Sequence, residues 1–237
     1  EAELYYNVIL SQRGLINRFH ADGQRDAFAR RGNAMINQGD DAVLLDQEGV
    51  REYLPYLNFD NGRFPIHGGL LQARAGTARH DAVAWGFARA ADSLGVDIIE
   101  QCEVTGINRD NGQVTGVETT RGTIQANKVG VVVAGNASVL ANMAGLRLPV
   151  ESHPLQAYVS EPLKPVLDTV VMSNAVHGYI SQSDKGELVI GAGIDAYIGY
   201  GQRGSFPTIE HAMQAILELF PSFSRVRMLR MWGGIVD

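Results

Sequence analysis

An unbroken run of apolar and small residues, Val129-Gly130-Val131-Val132-Val133-Ala134-Gly135, constrains this chain more than any other stretch. A strand with one wet face alternates apolar and polar side chains, so a continuous apolar run predicts a strand covered on both faces, as in an α/β sheet. Asn136-Ala137-Ser138 follows, and Ser138 to Gly145 reads as a short helix. A small-residue turn between strand and helix lets backbone amides approach a cofactor, although packing alone also selects small residues there.

At 237 residues, with 45% hydrophobic and 19% charged content, the chain is long and apolar enough to bury one large core or two smaller ones. Its formal charge of -6 argues against nucleic acid as a partner, because phosphate binding needs a clustered basic surface. A single cysteine, Cys102, excludes an internal disulfide framework and makes a cytoplasmic location the simplest expectation. No apolar stretch approaches the length of a membrane span. The chain opens on Glu1-Ala2-Glu3 and closes on Trp232-Gly233-Gly234-Ile235-Val236-Asp237, so it reads as an internal fragment of a longer protein.

Helical spacing appears from Arg25 to Gln38, within an otherwise turn-rich stretch that includes Phe59-Asp60-Asn61-Gly62. It returns from Asp81 to Leu94, where Val83, Ala84, Phe87, Ala88, Ala91 and Leu94 share a stripe and Gly95 supplies the stop. Val96-Asp97-Ile98-Ile99 and Glu103 to Ile107 read as strands, followed by a hairpin at Arg109-Asp110-Asn111-Gly112 and a meander over Gln113–Thr119 and Thr123–Ala126. Beyond Pro149 the pattern becomes spaced strands at Leu155–Ser160, Thr169–Met172, Gly178–Ser181 and Glu187–Gly193. A helix over Thr208–Phe220, entered through Pro207, and a strand over Arg225–Trp232 complete a second, largely antiparallel sheet.

Several motifs compete for a chemical role. Gly199-Tyr200-Gly201-Gln202-Arg203-Gly204 matches the literal dinucleotide fingerprint, but Ser205-Phe206-Pro207 intervenes before any helix, so it reads as a Gly-rich loop. His80 stands at a loop-to-helix junction beside Arg79 and Asp81. An imidazole and a guanidinium there suit an anionic, electron-accepting cofactor, although spacing alone favours a capping or surface histidine. His20, His67, His153, His177 and His211 are scattered, which gives no metal-ligand spacing. Cys102 has no CxxC partner, and no G-x-S-x-G elbow supports serine hydrolysis.

Taken together, the loop Gln72 to Arg79, the helix after it, Gly95-Val96-Asp97-Ile98-Ile99, Cys102 to Ile107, Thr119-Thr120-Arg121-Gly122 and Val131-Val132-Val133-Ala134-Gly135 resemble the middle of the D-amino-acid-oxidase family of FAD-dependent amine oxidases. Gln72 to Phe87, His153-Pro154-Leu155-Gln156-Ala157, Lys185 to Asp195, Gly199 to Gly204 and Trp232 to Asp237 narrow it to the beta subunits of heterotetrameric sarcosine oxidases. The resemblance implies a mixed α/β (α+β) FAD-dependent oxidoreductase fold, with a Rossmann-type FAD domain interleaved with an antiparallel-sheet substrate domain. On that pattern residues 1–68 and 150–231 belong to the substrate domain. Residues 69–149 belong to the FAD domain and carry a helix that anchors FMN, and 232–237 begin the return to it.

The same resemblance implies two flavins, FAD and an FMN bonded through its 8α carbon to His80, with Arg79 beside the anionic reduced ring. Val104 matches a strand position against the FAD adenine, and Ala134 and Gly135 match a second FAD-contacting turn. Trp85 is a pocket-lining candidate, and Lys185 and Arg230 are phosphate candidates by charge alone. Catalytic residues are expected outside this chain, and no metal is implied. The activity implied is oxidative demethylation of sarcosine to glycine, with formaldehyde or methylene-tetrahydrofolate and hydrogen peroxide, in a complex with alpha, gamma and delta subunits. The alternatives are an FAD amine oxidase or dehydrogenase of dimethylglycine or D-amino-acid type, and a non-catalytic adaptor on the same fold.

Overall fold

The computed structural model describes residues 6–60, 63–176 and 178–237; Asn61, Gly62 and His177 lie outside the described residues. Where the sequence offers one helix near the start, the structure builds five strands and two helices before residue 79. In chain order they are β1 (Leu10–Gln12), β2 (Leu15–Phe19), α1 (Asp22–Asn37), β3 (Val43–Asp46), α2 (Gln47–Tyr53), β4 (Gly68–Gln72) and β5 (Gly76–Ala78). Strand β2 hides from pattern reading because Asn17 and Arg18 are buried in it beside Ile16 and Phe19. Strand β4 hides behind Gly68 and Gly69, which bring it close to its neighbours: a Cβ on Gly68 would lie 2.3 Å from the Leu45 carbonyl oxygen. Helix α2 starts at Asp46, whose carboxylate accepts from the Gly49 N–H at 2.8 Å.

The middle of the chain forms α3 (His80–Ser93), the strands β6 (Val104–Asp110), β7 (Gln113–Thr119) and β8 (Gly122–Gln125), and α4 (Ala137–Met143). The meander follows the sequence reading closely, and its first turn holds Asn111 and Gly112 at positive φ of 49° and 81°. That is the backbone a two-residue hairpin needs to match strand twist. The last third forms β9 (His153–Pro162), β10 (Val170–Ser173), β11 (Gly178–Gln182), β12 (Glu187–Ile194), α5 (Phe206–Leu219) and β13 (Met228–Val236).

Eight strands make the large sheet, in the order β13-β9-β12-β11-β10-β2-β4-β3. Strands β2 and β10 run parallel, whereas β10–β11, β11–β12, β2–β4 and β3–β4 are antiparallel. Ile16 and Phe19 point to opposite faces, since side chains alternate along a strand. The Ile16 face packs with Val50 of α2 and with Ile209, Ala212, Ile216 and Leu219 of α5. The Phe19 face packs with Phe28 of α1 and with Leu70.

Two expectations fail. Residues 129–133 form no strand, and Val132 is 93% exposed. Val96–Ile99 likewise form no strand, and Val96, Ile98 and Ile99 are about half exposed. An apolar run becomes a buried strand only when strands flank it and layers cover it, and no described strand pairs with either segment. The described residues group into two units, each built from three stretches of sequence. One comprises 1–86, 156–194 and 203–233, and the other 87–155, 195–202 and 234–237. Among the described residues no helix is long and apolar enough to cross a membrane.

Candidate functional site

His80 is delivered by a stiff ribbon. Strand β4 ends at Gln72, the chain turns through Ala73–Ala75, and β5 pairs antiparallel with β1, placing Ala78 opposite Leu10. Arg74 fixes the turn: its backbone N–H and Nε donate to the two carboxylate oxygens of Asp41 at 2.9 and 3.1 Å, and Nη2 donates to the Gly39 carbonyl at 2.9 Å. Gly76 must be glycine, because a Cβ there would lie 1.9 Å from the Ser11 carbonyl oxygen. Arg79 then accepts the first helical bond, from Val83 N–H to its carbonyl at 3.0 Å, and His80 opens α3. The helix seats itself on Ala82 and Gly86, and Gly86 leaves room for the ring of Tyr6 and for Val8.

The imidazole of His80 is exposed and makes no hydrogen bond to a described residue. Its neighbours are paired with each other. Arg79 donates from Nε and Nη2 to the two oxygens of Asp81 at 3.2 and 2.6 Å, and Asp81 also accepts from the Ala82 N–H at 2.9 Å. The Arg79 hydrogen bond, then that of Ala82, hold the Asp81 carboxyl below the usual carboxylate range. The sequence marked Asp81 only as a helix-entry residue. Its larger consequence is that Arg79 presents a partly neutralised, oriented guanidinium rather than a free cation.

The remaining sequence candidates separate. Trp85 is 54% exposed and lies five residues past His80, about 140° round the helix, so it does not share the His80 stripe. Lys185 lines an open groove of about 600 Å³ with Arg13, Asp168 and Asp184, where Arg13 and Asp184 are already paired. Arg230 lies on the edge strand β13, 5.9 Å from the Trp232 ring centroid. In the second unit Val104 opens β6 opposite Thr119 and is half-buried. Ala134 adopts a φ of 45° in a 3₁₀ turn over Ala134–Asn136, and Gly135 is buried, its carbonyl accepting from the Ser152 hydroxyl at 2.6 Å. A Cβ on Gly135 would meet Ile235 at 2.4 Å, so this glycine answers a packing demand.

A family model described as FAD dependent oxidoreductase matches residues 1–237. The chain belongs to the FAD-dependent oxidoreductase family. It is 60% identical over all 237 residues to a protein named sarcosine oxidase subunit beta from Rhizobium meliloti (strain 1021), and 56% identical over 236 residues to one of the same name from Arthrobacter sp. It covers 57% and 58% of those two, so it spans little more than half the length of the relatives it matches. Among solved structures, an L-proline dehydrogenase from P. horikoshii superposes with a TM-score of 0.87 at 22% identity, over 99% of this chain and 62% of that one. A glycine oxidase from Geobacillus kaustophilus gives 0.81 at 23%, with the same coverage. At such identities the likeness establishes the fold.

For this member of the FAD-dependent oxidoreductases, two parts of the described chain have geometry that suits a flavin. A free, exposed imidazole at the first residue of a seated helix fits covalent attachment to a flavin methyl carbon. The left-handed Ala134 makes the turn tight, while the side of Gly135 that a Cβ would occupy is taken by Ile235.

Proposed function

We propose that this chain is part of a flavin-dependent sarcosine oxidase beta subunit, working in the cytoplasm with alpha, gamma and delta subunits, and that it anchors FMN covalently at His80. Whole-chain identity of 50–60% to three proteins named sarcosine oxidase subunit beta supports sarcosine over the other amine substrates of the fold. Two proteins named D-amino acid dehydrogenase match at 26% over 230 residues and 33% over 147 residues. The observation that carries the FMN reading is the unengaged imidazole at the head of α3.

Bound FAD and FMN would supply the redox chemistry, taking a hydride equivalent from the N-methyl carbon of sarcosine and passing its electrons to dioxygen as hydrogen peroxide, with glycine and formaldehyde or methylene-tetrahydrofolate as the other products. The residues of this chain orient and bind. His80 would hold FMN by a bond from a ring nitrogen to the flavin 8α carbon, for which one methyl C–H bond and the imidazole N–H bond break, the flavin takes up the two electrons, and dioxygen reoxidises it to give hydrogen peroxide. Asp81 aligns Arg79, whose exposed guanidinium keeps further N–H groups for an anion. Val104, Ala134 and Gly135 hold backbone near FAD, while Lys185 and Arg230 stand as phosphate ligands on charge alone.

The test is chemical. Full-length protein is denatured in acid and digested, and the peptide that contains His80 is weighed. It should carry the added mass of FMN, and the His80→Ala variant should carry none. A His80 peptide of unmodified mass from the flavin-replete wild type overturns the assignment.

A further inference from the structure

The turn that joins β6 to β7 sets an unhindered backbone nitrogen next to a free side-chain amide. Asn111 and Gly112 are its two central residues, and Asp110 and Gln113 pair across the hairpin on either side of them. Both turn residues are exposed. Among the described residues, the Asn111 side chain has no hydrogen-bond partner and neither has the Gly112 N–H. Other polar side chains of the meander are tied. Asn108 Nδ2 donates to Glu118 Oε1 at 2.5 Å, and the Thr123 hydroxyl donates to Glu118 Oε2 at 2.7 Å. The Thr119 hydroxyl donates to the Gly122 carbonyl at 2.6 Å. A Cβ on Gly112 would meet nothing within 4 Å, so open space surrounds this part of the backbone.

Those two groups can react with each other. A bond from the Gly112 nitrogen to the Asn111 Cγ closes a five-membered ring, and a glycine at the second position leaves the attacking nitrogen uncrowded and its backbone free to turn. The sequence offers asparagine followed by glycine twice, at Asn61-Gly62 and at Asn111-Gly112. The first pair lies outside the described residues.

We propose that Asn111 is a site of non-enzymatic deamidation, at which the turn amide becomes an acid through a cyclic imide shared with Gly112. Base takes the Gly112 N–H proton, the N–Cγ bond forms, the Cγ–Nδ2 bond breaks, and ammonia leaves with that proton restored to it. Water then opens the imide at one of its two carbonyls. Cleavage of the N–Cγ bond gives an aspartate at position 111, and cleavage of the bond to the main-chain carbonyl carbon gives isoaspartate. No electrons are transferred, and water and base are the only co-reactants. The hairpin restrains the dihedrals of both residues, so closure is slower here than in an unfolded chain.

The two products treat the hairpin differently. Aspartate followed by glycine suits the same two-residue turn as asparagine followed by glycine, so the pairing of β6 with β7 survives with one added negative charge beside Asp110. Isoaspartate places an extra methylene in the main chain between Asp110 and Gln113. A two-residue loop then no longer spans the strands, and the end of the hairpin opens.

Full-length protein is aged in mildly alkaline and in mildly acidic buffer, digested in acid and mapped by peptide mass, with unfolded protein alongside. The peptide that contains Asn111 should gain the mass difference between an amide and an acid, faster in proportion to hydroxide, and should separate into two products of equal mass. Hydrogen exchange of the β6 and β7 amides should be faster in the isoaspartate fraction than in the aspartate fraction. In Asn111→Gln, where ring closure needs six atoms, the gain should be lost. A wild-type peptide of unchanged mass, conversion confined to Asn61, or an equal gain in Asn111→Gln overturns the assignment. Aspartate as the sole product overturns the cyclic route.

Discussion

Helices α3 and α5 have the same length, 14 residues, and opposite uses. Helix α5 buries Ile209, Ala212, Ala215, Ile216 and Leu219 against the large sheet. Helix α3 buries only Ala82 and Gly86, while Trp85 and Phe87 are 54% and 75% exposed. One helix is held by what it buries, the other by the ribbon that feeds it. The contrast teaches where the proposed flavin anchor would belong: on an element whose side chains are not already committed to the core, positioned by backbone contacts that mutation of those side chains leaves intact.

The strongest test of that contrast is Leu219→Ala. Leu219 is fully buried in the main core, so denaturant unfolding should show a loss of about 2–5 kcal/mol, and a loss below about 1 would mean that α5 is not the structural helix of the pair. Next is Gly86→Leu, which places side-chain atoms where Tyr6 lies, 3.2 Å from a modest Cβ. It should cost about 1–3 kcal/mol in the same assay and show that the small-residue seat adds to the hold of the ribbon on α3. Trp85→Ala should move stability by no more than about 0.5 kcal/mol; a larger loss would make α3 a core helix after all.

The smallest effect concerns Asp81. Its carboxyl is held below its ordinary pKa by Arg79, so its contribution is present above about pH 4 and disappears as pH falls through the lowered value. Acid unfolding of Asp81→Asn should lack that component while matching wild type in shape at neutral pH. Identical acid profiles would show that the Arg79 pair does not orient anything.

Legibility followed local physics. The β6–β7 hairpin was plain because Asn111-Gly112 announces its turn, and β9 to β12 were plain because short apolar, β-branched runs are spaced between turn residues there. Strand β2 was not, because Arg18 and Asn17 occupy buried positions that pattern reading assigns to apolar residues. The Val129–Val133 run misled for the converse reason: composition reports what a segment can tolerate, and burial depends on neighbours that these residues do not supply. At the site, His80 could be placed at a helix start from sequence, but the clamp of Asp81 on Arg79 could not. A two-residue separation gives no periodic signal, and the pairing depends on how the chain turns into α3. Lys185 and Arg230 rested on charge, which carries no positional information.

The contact between Gly135 and Ile235 has a consequence in time. These residues are one hundred positions apart, so at the usual pace of translation the turn at Ala134–Asn136 waits about 5–20 seconds for the residue that packs on it. During that interval the turn keeps its nearer bond, from the Ser152 hydroxyl to the Gly135 carbonyl, and lacks the packing of Ile235, so the order of synthesis rather than fold energy sets when this contact closes.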